Sequence, residues 1–123
     1  MDAAESKTFA LPATINYKRL AEAQAFYEGH GFEYIEVPWA VSAESTAVTL
    51  PANKQAFALG EHGFLVGSAE QSFIEMIRAG VPLDIHCAIT PCFRDDKIDH
   101  WHQAGFVKLE LFRFLPEGMA RPV

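Results

Sequence analysis

The chain has few of the residues that disulfide frameworks and metal sites require. Only two of its 123 residues are cysteines. Cys87 and Cys92 lie five positions apart on one predicted strand, where they should point to opposite faces, so a shared disulfide is disfavoured. A zinc site is conceivable from four side chains with ligand atoms, but they lack a paired C-x-x-C spacing, and the sequence therefore predicts no metal site. These four are His86, Cys92, His100 and His102.

Positive charge and long apolar runs are also scarce. Lys and Arg number 10 against 16 Asp and Glu, giving a formal net charge of -6 with no dense basic stripe. Independent binding of tRNA or another nucleic acid is therefore not expected. No apolar run approaches membrane-spanning length, and the acidic N-terminus lacks the apolar core of a signal peptide. We expect a soluble, cytoplasmic protein with no membrane partner, folded as one domain over residues 1–123.

Residues 83–115 read as two β-strands joined by a short charged turn, and the functional interpretation depends on this hairpin. In the first strand, the odd-numbered positions are mostly apolar and the even-numbered positions are more polar, so we expect the odd face to form the core and the even face to be open. The returning strand adds an aromatic and two charged residues to the open face. The even face contains Asp84, His86, Ala88, Thr90, Cys92 and Arg94, followed by Phe106, Lys108 and Glu110.

The side chains of this predicted open face can hold an anionic ligand that carries a ring. Arg94 offers a planar guanidinium for a phosphate or carboxylate, and Phe106 offers a stacking surface. Asp96 and Glu110 can accept hydrogen bonds from amino or hydroxyl groups. The alternative is an ordinary solvated hairpin face with cross-strand ion pairs.

The segments before the hairpin predict two helices and several short strands. Residues 16–31 form an amphipathic pattern that Asn16 can cap, and residues 32–39 alternate as a strand ending at Pro38. Residues 42–54 read as a loop over a site, and residues 57–66 as two short strands. Ser68 and Gln71 have capping-box spacing at the start of a second helix. We predict an α+β fold: a mostly antiparallel sheet, both helices packed on its apolar face, and a pocket on its open face.

Three short motifs carry a family resemblance. Phe93-Arg94-Asp95-Asp96, followed by His102-x-x-x-Phe106-x-x-x-Glu110, resembles the second signature of class II aminoacyl-tRNA synthetases, most closely the seryl form. Asp96 stands where the family usually has Glu. Relative to the seryl form, Ala104-Gly105 are inserted between the His102-Gln103 pair and Phe106. Gly31-Phe32-x-x-Ile35-x-x-Pro38 resembles the first signature, which lies at the dimer interface in that family. Ser68-Ala69-Glu70 resembles the seryl Thr-Ala-Glu triplet. No strand and Gly-rich helix matching the third signature follows Glu110.

The resemblance implies a class II synthetase-like fold, a homodimer and specific residue roles. Arg94 would be the catalytic residue that holds the α-phosphate and the substrate carboxylate. Phe106 would stack on adenine, and Asp96 would meet the adenine amino group. Ser68, Glu70, His102 and Glu110 would bind the amino acid. The implied cofactor is ATP or AMP, with Mg²⁺ where the phosphates require it. The alternative for Ser68 and Glu70 is a helix cap with a favourable first-turn acid.

Three functions remain open at this point. The first is an amino-acid- and adenine-nucleotide-binding paralogue without full aminoacylation activity, since the third-signature arginine that clamps the far phosphates has no match. The second is a minimal ATP-dependent adenylating enzyme, an amino-acid ligase. The third is a structural or regulatory dimerisation module, because a fold does not fix a function.

Overall fold

A computed structural model describes residues 14–94 and 105–115 of the chain. These residues form an α+β structure with three helices and six strands. The elements follow in the order α1 Tyr17–Glu28, β1 Glu33–Tyr34, β2 Ala40–Val41, α2 Ala43–Ala47, β3 Phe57–Ala58, β4 Phe64–Leu65, α3 Ala69–Arg78, β5 Ile85–Phe93 and β6 Gly105–Arg113.

The strands form two three-stranded sheets. In the first sheet β5 lies in the middle, parallel to β1 and antiparallel to β6, with Ala88 opposite Glu110 and Cys92 opposite Phe106. The predicted hairpin is therefore confirmed. The second sheet has the order β2-β4-β3 and is antiparallel throughout. A hydrogen bond from the Phe93 N–H to the Val66 carbonyl, 2.9 Å long, connects the ends of β5 and β4.

The even-numbered face of β5 is buried, so the prediction that this face is open was wrong. Helix α3 covers it: Ala69 and Phe73 cluster with Ala88 and Val37. The Phe73 ring also packs 5.0 Å from the ring of Phe112 on β6. The even-numbered side chains from His86 to Cys92 are at most 8% exposed. A strand covered on both faces reads as a nearly continuous apolar run, and IHCAITPCF has that character.

The two longer helices lie on opposite faces of the first sheet, which corrects the prediction that they share one. Helix α1 packs against β5 and β6. Burial raises the pKa of the Cys87 thiol, and the nearby carboxylate of Glu28 on α1 raises it further. Neighbouring residues of a strand point to opposite faces, so Cys87 faces α1 while Ala88 faces α3. Helix α1 contributes no buried residue and remains a loosely covering layer.

Local signals placed the two longer helices correctly, whereas the strand predicted over residues 32–39 is limited to Glu33–Tyr34. The Asn16 side chain accepts from the Arg19 N–H and caps α1, as predicted, and Ser68 caps α3. The two short strands before α3 are also confirmed. Gly63 between them has φ 107°, and a Cβ there would lie 2.5 Å from the Val41 carbonyl oxygen, so this turn requires glycine. Among residues 14–94 and 105–115 no helix is long and apolar enough to cross a membrane.

The segment predicted as an unstructured loop contains a short helix. Ser42 caps α2 by accepting from the Ser45 N–H, and α2 spans five residues. Ser45 and Thr46 are buried. Residues 42–54 were predicted to lack structure because they are small and polar, but those same serines and threonines serve here as caps and buried hydrogen-bonding groups.

Candidate functional site

A cavity of about 270 Å³ lies where β5 ends and α3 begins. Three side chains selected from the sequence line it, namely Ser68, Glu70 and Arg94. They come from two segments that are more than twenty residues apart, and the hydrogen bond between Phe93 and Val66 brings those segments together. Residues that were not selected, including Lys54 and Gln71, complete the wall.

Arg94 is held on two sides at the edge of this cavity. Its Nε donates to the Gly67 carbonyl oxygen at 2.9 Å. Its guanidinium carbon lies 5.3 Å from the centre of the Phe106 ring, in cation–π range. A guanidinium has five N–H donors, and the Nε hydrogen bond uses one of them. The group is thus oriented by the protein, and an anion that presents two oxygens, such as a carboxylate or a phosphate, matches its remaining donors.

Ser68 and Glu70 begin α3 and also border the cavity. The Ser68 hydroxyl accepts from the Glu70 N–H at 3.2 Å, so the capping role is real. Glu70 is exposed, and its side chain lines the cavity. Capping by Ser68 and ligand binding by Glu70 are therefore compatible, because the cap uses the backbone of Glu70 and leaves its carboxylate available to a cation.

Gln71 connects the cavity wall to α2, a role that the sequence analysis missed. It is 4% exposed. Its Oε1 accepts from the Gly67 N–H at 2.8 Å, and its Nε2 donates to the Thr46 carbonyl at 3.3 Å. The capping-box spacing gave part of the signal, since such a Gln reaches back to the helix start. Here it reaches the N–H of Gly67, the residue before the cap, and the carbonyl oxygen of that same residue accepts from Arg94.

Lys54 enters the cavity from the segment between α2 and β3. Residues 49–51 and 54–56 form one wall. The prediction that this segment covers a site therefore agrees with its position, but Lys54 itself was not singled out. A single cation in a polar loop carries no sequence signal, because its position relative to Arg94 depends on the tertiary fold.

Glu75 on α3 holds α2 in place. Its Oε1 accepts from the Ser42 hydroxyl at 2.8 Å, the Ser42 N–H at 3.2 Å and the Ser45 hydroxyl at 2.6 Å. These hydrogen bonds, that of the Ser45 hydroxyl first, lower the pKa of Glu75 below its ordinary value of 4.5. The carboxylate therefore stabilises the start of α2 and, through it, the segment that carries Lys54.

Phe106 and Glu110 share the even face of the hairpin but do not line the cavity. Phe106 lines a second cavity of about 300 Å³, beside Thr14, Asn16 and other residues at the start of α1. Glu110 pairs with Lys108 at 2.9 Å, with 13% of its side chain exposed. Asp96 and His102, also predicted to bind ligand, lie outside the described residues. Of the five predicted site residues that the structure describes, three therefore line one cavity.

Cys92 lies on the even face of β5 and is fully buried. Burial, with a smaller effect of the Glu110 carboxylate, raises the pKa of its thiol to about 11. A neutral thiol of this kind is a poor nucleophile and a poor metal ligand. Within residues 14–94 and 105–115, no group of three His, Cys, Asp or Glu side chains is arranged to hold a metal ion.

A scan against protein-family models finds no match to this chain, and a search of curated proteins finds none either.

Proposed function

We propose that the chain is a class II aminoacyl-tRNA synthetase-like protein that binds an amino acid, an adenine nucleotide or both, without full aminoacylation activity. One observation carries the proposal: Ser68, Glu70 and Arg94, selected from two separate motifs, line a single cavity. Two motifs that occur in the order of the family and whose residues also line one cavity support the proposal more strongly than either motif alone.

The charges around the cavity support binding of an α-amino acid. Glu70 provides a carboxylate for the ligand ammonium, and Arg94 provides a guanidinium for its carboxylate or for the α-phosphate of an adenylate. The cavity volume of about 270 Å³ lies just below the range of drug-sized pockets. An amino acid with its attached phosphate fits this size, and the nucleoside lies outside it.

The adenine ring of the proposed nucleotide stacks on Phe106. Arg94 contacts both regions, since it lines the cavity and its guanidinium lies over the Phe106 ring. A ligand that is bound through its phosphate at Arg94 therefore reaches Phe106 with its base. One face of that ring carries Arg94, so the base stacks on the opposite face.

Binding is favoured over catalysis because Arg94 is the one arginine among the described residues that line the cavity. Orientation of all three phosphates of ATP usually takes further cationic groups or metal ions. The proposal also includes a homodimer, as the family's first signature implies, and a cytoplasmic location. The alternatives are a minimal adenylating enzyme and a purely structural role. Calorimetric titration and pyrophosphate exchange distinguish them from binding without catalysis.

Calorimetric titration with AMP, ATP and the amino acids tests the proposal. Wild-type protein should bind AMP at least as well as ATP, and Arg94→Ala should abolish nucleotide binding. Arg113→Ala, an exposed arginine on β6, is the matched control and should bind normally. Amino-acid-dependent exchange of pyrophosphate into ATP should be undetectable. Exchange that disappears in Arg94→Ala would make the chain an adenylating enzyme, whereas absence of any binding would leave the structural role.

A further inference from the structure

We infer that the second cavity, between the start of α1 and the start of β6, holds the nucleoside of the proposed nucleotide, with Asn16 and Arg19 as its polar contacts. The inference rests on the proposed function and names a site that the sequence motifs do not include. In that function the first cavity takes the amino acid and the phosphate, so the nucleoside lies elsewhere. The second cavity is the place that a phosphate at Arg94 leaves within reach.

Phe106 connects the two cavities. Arg94 lines the first cavity, and its guanidinium carbon lies 5.3 Å from the centre of the Phe106 ring. Phe106 itself lines the second cavity, which has a volume of about 300 Å³. A mononucleotide with its phosphate at Arg94 can therefore extend along the ring and place its base in the second cavity. The volume is at the lower limit of ordinary small-molecule pockets, and a nucleoside is a ligand of that size.

The apolar residues of the second cavity suit the face of a base. Ile15 and Leu20 come from the start of α1, and Val107 follows Phe106 on β6. Stacking of a base on an aromatic side chain contributes affinity for any base, because every base has a π-face. The apolar residues thus provide affinity for a nucleoside, and the choice among nucleosides depends on polar contacts.

Asn16 and Arg19 provide polar contacts in the same cavity. Asn16 Oδ1 accepts from the Arg19 backbone N–H at 3.0 Å, which fixes Asn16 as the cap of α1. That hydrogen bond involves neither the Asn16 amide nitrogen nor the Arg19 guanidinium, and both of these groups carry N–H donors. The ring nitrogens N3 and N7 of adenine are acceptors. The polar groups of the cavity therefore complement the acceptors of an adenosine group.

Titrations of the full chain with AMP and with inorganic phosphate, followed by heteronuclear NMR, test the inference. Both ligands carry the phosphate that Arg94 binds, and AMP alone carries a nucleoside. AMP should shift the backbone amide signals of residues 15–20, and inorganic phosphate should not. Arg19→Gln should lower the affinity for AMP about tenfold, as expected for a lost hydrogen bond from a charged group, while the affinity for inorganic phosphate changes less than about twofold.

Lys18→Gln is the matched control, because it removes the same charge from the neighbouring exposed position of α1. It should leave both affinities unchanged. Asn16→Ser keeps a capping side chain and removes the amide donors, so it should also weaken AMP binding selectively. Unchanged AMP affinity in either cavity variant, or an equal loss in Lys18→Gln, overturns the inference.

The same titrations separate this inference from the proposed function. AMP binding that disappears in Arg94→Ala but leaves the signals of residues 15–20 in place overturns the nucleoside site and keeps the proposed function. Failure of AMP to bind the wild-type protein overturns both. Thermal unfolding of each variant verifies that the comparison is made on folded protein.

Discussion

Arg94 combines an anchored position with an available charge. Its Nε donates to the Gly67 carbonyl oxygen, and the N–H of the same glycine donates to Gln71 Oε1. The phenyl ring of Phe106 supports the guanidinium. Side chains fixed in this way lose little further entropy on binding a ligand. At the scale of single residues, the candidate site is therefore a preorganised arginine that lines the same cavity as a carboxylate and a lysine.

Glu70→Gln separates ligand binding from helix capping. The substitution keeps the size of the side chain and deletes its charge. We expect affinity for an amino-acid ligand to fall by about 2 kcal/mol, because a charge pair with the ligand ammonium is lost. The free energy of unfolding should change by less than about 1 kcal/mol, the usual size of a helix-dipole effect. Both quantities come from calorimetry and chemical denaturation.

Glu44→Gln is the matched control for Glu70, since Glu44 is also an exposed first-turn acid, on α2. It should leave ligand affinity unchanged. If Glu70→Gln binds every ligand as tightly as the wild type, Glu70 is a helix-terminus acid alone.

Glu75→Gln should destabilise the protein in a pH-dependent way. The folded-state pKa of Glu75 lies below 4.5 because the hydroxyls of Ser45 and Ser42 donate to its carboxylate. A carboxyl whose pKa is lowered by folding stabilises the folded state fully above its unfolded-state pKa, and this contribution disappears as pH falls through the folded-state pKa. We expect Glu75→Gln to lose about 2 kcal/mol at pH 7, and less as the pH falls below 4.5.

Urea denaturation over a pH series measures this difference. Glu22→Gln, an exposed residue of α1, is the control and should differ from the wild type by less than about 0.5 kcal/mol at neutral pH. A loss for Glu75→Gln that stays constant down to pH 2 would contradict the proposed role of the carboxylate.

Motif spacing identified Ser68, Glu70 and Arg94, whereas Gln71 and Lys54 were not predicted as cavity residues. The first three occur in patterns that a sequence displays directly. Gln71 acts through the carbonyl of Thr46 and the N–H of Gly67, and backbone groups have no sequence signature. Lys54 lines the same cavity as Arg94 although it is far from Arg94 in the sequence. Residue types and local order are thus predictable, and contacts between distant segments are not.

At the scale of elements, the packing of α3 on β5 decides which surface can hold a ligand. Alternation along β5 suggested one open face, but Ala88 and the small polar residues near it leave room for a helix to approach closely. Ala69 and Phe73 fill that space. The even face of β5 is consequently part of the core, and the cavity lies beyond the C-terminal end of β5. Periodicity cannot distinguish these cases, because small polar side chains occur both in solvated faces and beneath packed helices.

Phe73→Ala tests this packing directly. Phe73 is 2% exposed and contacts the sheet across its even face. Its truncation should cost about 3–5 kcal/mol, as for other buried aromatic residues. Phe114→Ala, whose side chain is 56% exposed, should cost less than about 1 kcal/mol. Chemical denaturation measures both, and similar small losses would mean that the even face is not covered by α3.

At the scale of the molecule, one side of the first sheet is well covered and the other is not. Helix α3 supplies four buried residues, and α1 supplies none. Phe26 on α1 and Trp39 after β1 are each 57% exposed. These aromatic side chains flank the segment that resembles the first class II signature, and exposed aromatic groups of this kind often mark an interface between subunits.

We predict that the protein is a homodimer at high micromolar concentration. Sedimentation velocity should give the mass of two chains for the wild type. Phe26→Asp should shift the equilibrium toward the monomer, because a charge in an apolar interface is costly to desolvate. Glu22→Asp, on the same helix, should remain dimeric. A wild-type protein that sediments as a monomer would remove the dimer and weaken the class II interpretation.

A crystal structure of the full chain grown with AMP tests the central claim most directly. The account predicts that the phosphate lies within hydrogen-bond distance of the Arg94 guanidinium, at the edge of the cavity bordered by Ser68 and Glu70, and that adenine stacks on Phe106. AMP bound elsewhere, or a cavity that stays empty at saturating AMP, would contradict the assignment of this cavity as the nucleotide and amino-acid site.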